Sequence, residues 1–345
     1  MSLEPRSYAP AETVPFDAAD LPARPAHRRT LLVRPEFFDV RYRINPHMGG
    51  RVDRTRATAQ WHALREIYGG HGEVCVLDPA ALAPAVGDLA RDGGDREYTD
   101  ESEAAVDGSD QATNEAASSV PSASSVSASP ASPAAFPDLV FCANHGVGAA
   151  EGESVVLASM ATAERAGEPA YLAAWCHEQG YDVRRLPDGI AFEGTGDAIW
   201  HPGKRLLWGG YGLRTDRRAY DALAAELDVP ILELELSNPY YYHLDVCFAP
   251  LDAETVLIQP DAFTETSQTR IASVFDRVLR APAHESIEGL ACNCHSIDGE
   301  TVVLGAGTPE TTAAVADAGF EVREVATDEF LKAGGSVRCL TLMLP

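Results

Sequence analysis

One theme recurs along this chain of 345 residues: an amphipathic helical stretch, a glycine or short break, then a short apolar strand. It is read near 53–77, where a helix to Tyr68 precedes Glu73–Leu77, near 169–186, where Gly180 separates Gln179 from Tyr181–Leu186, and near 216–236. It returns at 309–325, where Thr308 is placed to cap, Pro309 suits the first helical position and Gly319 ends the helix. A fifth helix is predicted over about 266–280 from Ile271, Val274, Phe275 and Leu279, with no clear strand after it. The apolar runs Leu31–Val33, Leu139–Cys142, Val155–Leu157, Leu206–Trp208, Val256–Ile258 and Val302–Leu304 supply further strands. Five α/β units result, each of strands plus one helix, and such repeats fit a circular array as readily as an open doubly wound sheet. Against a nucleotide-binding sheet, Gly305-Ala306-Gly307 lacks a third glycine at the required offset and Gly-Lys-Ser/Thr is absent.

Two segments stand outside the pattern. Residues 92–135 hold ten Ser, ten Ala and nine acids against the single Arg96, a composition that cannot offset its own ordering entropy, so a disordered acidic insertion is predicted there. Residues 1–28 read as a flexible N-terminal arm. The remainder, 29–345 without the insertion, is predicted to form one domain.

Charge narrows the partners. With 52 acids against 27 Lys and Arg the net charge is −25, which repels nucleic acid and anionic membranes and argues against both. No run of 18 apolar residues occurs, and Glu4, Arg6, Glu12, Asp17 and Asp20 break any signal-peptide core, so a cytoplasmic protein is expected. Only Lys204 and Lys332 are lysines; an acid excess of this size suits a cytoplasm with molar salt, where screening removes the self-repulsion. Seven thinly spread cysteines read as free thiols rather than a disulfide framework.

Reactive side chains concentrate in three places. Phe192-Glu193-Gly194-Thr195-Gly196-Asp197 puts two carboxylates in a glycine-rich turn, either a receptor for a flat guanidinium or a turn with solvated acids. In Tyr240-Tyr241-Tyr242-His243-Leu244-Asp245, a strand would turn His243 and Asp245 to one face, where the carboxylate orients the ring; a satisfied core histidine is the alternative. Gly334-Gly335-Ser336-Val337-Arg338-Cys339 brings the backbone close and sets Cys339 on the edge of an apolar strand beside a basic residue, as a reactive or a merely buried thiol. Together these are the parts of thiolate catalysis with a proton shuttle. Cys292-Asn293-Cys294-His295 lacks a second ligand pair at zinc spacing, and no metal is predicted.

The segments FEGTGD (192–197), YYHLDVCF (241–248) and GGSVRCLTL (334–342), with PDLVFCANHG (137–146) and GYGLRTD (210–216), resemble the guanidino-group-modifying enzymes: dimethylarginine dimethylaminohydrolases, arginine deiminases, amidinotransferases and arginine dihydrolases. The resemblance covers most of 29–345 outside the insertion and implies a five-bladed α/β propeller (pentein) with pseudo-fivefold repeats and a central active site. It implies Cys339 as nucleophile, His243 as general acid and base, and Glu193 as the carboxylate that grips a small-molecule guanidino substrate. Asp245 would hold the histidine or share that grip, with Asp197 close by, and Arg214 would bind the substrate carboxylate, with Arg165 a second candidate. Many members carry aspartate where this chain has Asn144; the Ala-Asn form is similar to the arginine dihydrolases, which take arginine to ornithine, ammonia and carbon dioxide. No metal or organic cofactor is implied. An amidinotransferase, passing the amidino group to an amine, and a non-catalytic propeller stay open as alternatives, as does a homodimer.

Overall fold

The computed structural model describes residues 5–27, 29–92 and 132–345, and the predicted insertion lies outside them apart from Asp92, which ends the helix Pro79–Asp92, and residues 132–135. Five small sheets share one topology. In each, a first strand runs antiparallel to a central strand, a helix follows, and a last strand returns parallel to the central one. The second unit shows the pattern: Gly146–Gly148 against Ser154–Leu157, helix Pro169–Gln179, then Asp182–Arg185. The third uses Ala198–Trp200, Leu207–Tyr211, helix Ala219–Leu227 and Ile231–Glu235. The fourth uses Phe248–Pro250, Thr255–Ile258, helix Glu265–Ala272 and Arg277–Arg280, and the fifth His295–Ser296, Thr301–Gly305, helix Pro309–Asp317 and Glu321–Val325. The first unit borrows: Arg29–Val33 pairs in parallel with Glu73–Leu77 beyond helix Arg54–Gly69, but its antiparallel partner is Leu342–Leu344.

Local chemistry explains the boundaries. Asp53 accepts from the N–H groups of Thr55 and Arg56 to start the first long helix, and Pro169 and Pro309 occupy first-turn positions that need no N–H. Gly180, at φ +81°, takes the left-handed residue that ends its helix. Central strands such as Ser154–Leu157 and Thr301–Gly305 are buried throughout, as expected of strands covered on both faces, whereas outer strands such as Asp182–Arg185 carry charge to solvent.

Several predictions need correction. The helix expected over 266–280 stops at Ala272, and Arg277–Arg280 is the missing strand; Phe275 is apolar for the core of neighbouring rings, not for a helix face. Leu139–Cys142 is two short 3₁₀ turns, Pro137–Val140 and Cys142–His145. Thr308 does not cap: its hydroxyl turns back to the Gly305 carbonyl at 3.2 Å, and Glu285 receives the first N–H groups of that helix instead, from Glu310 and Thr311 at 2.8 Å each. Nor is the described part of the arm loose. Ser7–Tyr8 adds a parallel strand beside Ile231–Glu235, Tyr8 and Leu21 are buried, and the Arg270 guanidinium holds the carbonyls of Ala9 (2.8 Å) and Pro10 (3.2 Å). All seven cysteines are free, and among the described residues no helix is long and apolar enough to cross a membrane.

Candidate functional site

The functional segments share a register. Each sits in the turn just before the first strand of its unit: Asn144 before Gly146–Gly148, Glu193 and Asp197 before Ala198–Trp200, His243 and Asp245 before Phe248–Pro250, Asn293 before His295–Ser296, and Cys339 before Leu342–Leu344. Tight backbone makes room for this. Gly194 has φ +57° and a Cβ there would lie 2.6 Å from the Gly146 nitrogen, while a Cβ on Gly196 would lie 2.3 Å from Asn144 Nδ2.

Cys339 is buried, and its sulfur donates to Asp245 Oδ2 at 3.2 Å and accepts from Asn293 Nδ2 at 3.1 Å. Asn293 Oδ1 in turn accepts from the N–H groups of Ser336 (3.1 Å) and Cys339 (3.2 Å), so one amide fixes the turn and the thiol together. Burial pushes the thiol well above its ordinary range, and the Asp245 carboxyl pushes it further. Asp245 is itself raised by burial to about 7, although the Cys339 thiol, Arg338 and Asn293 pull the other way.

The expectation that Asp245 faces His243 on a strand fails. His243 is extended, but Leu244–Val246 is a 3₁₀ turn, and its threefold winding sends the residue two positions on away from the first. His243 Nε2 meets Glu193 Oε2 instead, at 2.6 Å. Glu193 also accepts from Arg214 (3.1 Å to Oε2) and from the Ala161 N–H at 3.0 Å. Burial alone would raise this carboxyl, but His243, Arg214 and Arg165 outweigh it and hold it well below the carboxylate range. Asp197 does not reach the cavity described below: it accepts from Thr215 Oγ1 (2.7 Å) and the Leu244 N–H (2.9 Å), tying two turns together, and burial raises it to about 6.

Arg214 is placed on Glu193 rather than at the mouth of an open pocket. Its other nitrogen donates to the Ile44 carbonyl at 2.7 Å, and the guanidinium lies 5.2 Å from the centre of the Tyr242 ring. Arg165 donates to Asn144 Oδ1 at 2.9 Å and to Glu168 Oε2 at 2.6 Å, its charge kept by Glu168 and Asp138 against the cost of burial. These groups close on a cavity of only about 10 Å³ lined by Asp138, Asn144, Arg165, Arg214, Tyr242 and Cys339, among others. That is room for about one water. Of the lining residues, Asn144 (Nδ2) and Asp138 (Oδ1) each bury an atom with no hydrogen-bond partner among the described residues; Glu193, His243, Asp245 and Glu168 stand behind the lining, and Glu168 Oε1, His243 Nδ1 and Asp245 Oδ1 are likewise unpaired.

Sequence reading missed Asn293, Asp138, Glu168 and Tyr242. Asn293 lay inside the Cys-Asn-Cys-His run tested for metal, where the thiols drew attention from the amide between them; the register of the five turns is the signal that finds it. Cys292 and Cys294 are buried, and His295 stacks on Tyr68 with Nδ1 3.0 Å from its hydroxyl. Among the described residues, the grouping with ligand-like spacing is His284, Glu285 and Glu310, but both Glu285 oxygens already serve the helix start at Glu310 and Thr311.

A sequence model of the family described as N,N dimethylarginine dimethylhydrolase, eukaryotic, matches residues 126–344. The bifunctional arginine dihydrolase/ornithine cyclodeaminase of Synechocystis is 31% identical over 318 residues, 91% of this chain but only 37% of that protein. The chain therefore spans little more than a third of that relative. The N(G),N(G)-dimethylarginine dimethylaminohydrolase of Mycobacterium tuberculosis is 33% identical over 328 residues, 93% of this chain and 88% of that one. Among solved structures, the N-terminal domain of a cyanobacterial arginine dihydrolase bound to substrate is similar with a TM-score of 0.71 at 29% identity, over 91% of this chain and 97% of that one. The same domain covalently bound to a reaction intermediate matches with a TM-score of 0.71 at 29% identity, over 92% and 99%. With its thiol, imidazole and carboxylates set in equivalent turns of an α/β fold, the chain belongs to the guanidino-group-modifying enzyme family of these hydrolases.

Proposed function

We propose that the protein is a cysteine-dependent hydrolase of the guanidino group of arginine, carrying it through to ornithine, on a five-bladed propeller whose five turns meet at one central site. The observation that carries this is the pairing of Cys339 with Asp245 and of His243 with Glu193 at equivalent turns of the repeat, beside a cavity holding the Asn144–Arg165 pair. Since the cavity is nearly closed, substrate entry requires Arg214 to leave Glu193, freeing that carboxylate for the incoming guanidinium and Arg214 for the substrate carboxylate.

In the bound state Glu193 and Asp245 seat the planar cation over Cys339. The sulfur attacks the guanidinium carbon as its proton passes to His243, giving a tetrahedral adduct; His243 then hands that proton to the departing amine, and ammonia leaves an S-alkylthiouronium. Water, deprotonated by His243, attacks the same carbon, and the C–S bond breaks to release the ureido product and the thiol. A second round on that product yields ornithine, ammonia and carbon dioxide. Asn144 supports the dihydrolase outcome: an amide cannot neutralise the cation as a carboxylate would, and the side chain is instead a hydrogen-bonding group set beside Arg165. The reaction uses free thiols and small molecules, in keeping with a cytoplasmic setting.

Incubation with arginine and separately with methylated arginines, assaying citrulline, ornithine, ammonia and methylamines together, tests the reading. Ornithine with two ammonia per arginine is expected. Citrulline and dimethylamine from dimethylarginine alone would replace the dihydrolase with the dimethylaminohydrolase, the reading that the 33% identity to the mycobacterial enzyme favours; turnover only when glycine is added would replace hydrolysis with amidino transfer.

A further inference from the structure

Arg338 and Cys339 are chain neighbours that line different cavities. Cys339 lines the small one; Arg338 lines a second, of about 370 Å³, with Arg24, His27, Trp200, Phe248 and His295. The two share no lining residue. The functional turns precede the first strands of the units, and the far ends of those strands, at Trp200, Pro250 and Ser296, wall the second cavity. It therefore lies across the first strands from the substrate cavity, and its volume is that of a small-molecule site.

Its charge is out of keeping with the chain. Arg338 is 7% exposed, yet its guanidinium makes no hydrogen bond or ion pair among the described residues. Arg24, 8% exposed, lies 4.5 Å from the centre of the Trp200 ring; among the described residues its side chain hydrogen-bonds only the His27 ring, at 3.0 Å, and its Nε has no partner. The rim acids do not answer them. Asp252 Oδ1 accepts from the N–H groups of Glu254 and Thr255, and Asp298 serves Glu300, Thr301 and His71. Burial and the neighbouring Arg338 pull Arg24 down to about 9, and burial with the surrounding cations keeps His27 and His295 far below the imidazole range. In a protein with 52 acids and 27 Lys and Arg, carboxylates are abundant, so two buried guanidiniums with no ion-pair contact among the described residues are conspicuous, Asp245 acting on Arg338 only from a distance while bonded to Cys339. Contrast Arg165 and Arg214, equally buried and each paired.

We propose that this second cavity is an anion site that takes a small doubly charged oxyanion, of the phosphate or dicarboxylate type, between Arg24 and Arg338. Two guanidinium forks match two negative charges, the neutral histidines add N–H donors, and Trp200 and Phe248 give the apolar wall against which a compact organic dianion packs. Binding at this site does not depend on which reaction the first cavity performs.

Titration calorimetry of the intact protein at constant ionic strength, with inorganic phosphate and separately with succinate, tests the proposal, with Trp200 fluorescence as a second readout. Saturable one-to-one binding of at least one anion is expected, and which of the two binds more tightly distinguishes a phosphate from a dicarboxylate ligand. Arg24→Met and Arg338→Met should each weaken it by about tenfold or more, and Asn144→Ser should leave it unchanged, since that residue lines the other cavity. Should Arg338→Met fail to fold, Arg24→Met, on the N-terminal segment, decides alone. Absence of saturable binding for both anions, or affinities that the arginine variants do not alter, would overturn the proposal.

Discussion

Glu193 and Asp245 are buried to the same degree, in equivalent turns of adjacent repeats, and they hold their protons in opposite ways. Glu193 has an imidazole, a guanidinium and a backbone N–H on its two oxygens and is driven below the usual range; Asp245 has a thiol on one oxygen and, among the described residues, no partner on the other, and rises to about 7. Desolvation is common to both, so neighbours alone decide the sign. One side of the site is an ion cluster in which the carboxylate is fully paired, the other an acid with one oxygen unpaired beside a thiol.

The comparison can be broken at its reactive end first. Cys339→Ser should cost turnover a factor on the order of 10⁴ or more while leaving the unfolding midpoint close to that of the parent; full activity in the serine protein would remove covalent catalysis. His243→Asn should lower kcat by roughly 10²–10⁴-fold, since the proposed mechanism passes both proton transfers through that ring. Retained burst release of ammonia in this variant would show that another group protonates the first leaving amine.

Glu193→Gln strikes the paired side. It leaves Arg214 buried without its carboxylate, and a loss of about 3–5 kcal/mol in urea unfolding is expected, together with a raised KM. An unchanged midpoint would mean that the cluster is already solvated. The two carboxyls also predict opposite pH slopes. Asp245, raised when folded, keeps a proton that the unfolded chain has lost, so its contribution to stability is present below the ordinary carboxyl range and disappears as pH rises through about 7. Glu193, depressed when folded, contributes above that range and loses its effect as pH falls. Asp245→Asn should therefore flatten the decline of stability between about pH 4 and 7, and Glu193→Gln the decline on acidification.

The smallest effect sharpens the thiol side. Because Asp245 holds the Cys339 thiol up, Asp245→Asn should speed its alkylation by iodoacetamide near pH 7, by about tenfold for each unit the thiol falls. Slower alkylation in this variant would show that the carboxylate activates the sulfur instead.

Much of this was legible in the residues. Helix 54–69 with strand 73–77, and helix 309–317 with strand 321–325, announce themselves through Pro309 at a first-turn position, glycine stops and apolar spacing. The three motifs carrying Glu193, His243 and Cys339 do fall on equivalent turns of the repeat. Pairings between them were not legible, because a side chain's direction depends on whether two residues lie in a strand or a 3₁₀ turn, and period-two reasoning assigned Asp245 to the wrong partner. Asn293 was missed because an amide has no chemistry of its own to flag it. The N-terminal segment looked unattached because its contacts, Tyr8 on a strand at 232 and carbonyls on Arg270, are made with residues far along the chain.

The pairing of Leu342–Leu344 with Arg29–Val33 has a further consequence, in the order of events. The strand that completes the first sheet begins three residues after Cys339, so docking the strand and delivering the sulfur are a single act. Long-range closure of this kind is slow to form. A chain with four units folded but this seam open would hold the Cys339 sulfur away from Asp245 and Asn293, so the last long-range pairing to form is also the one that assembles the thiol with its partners.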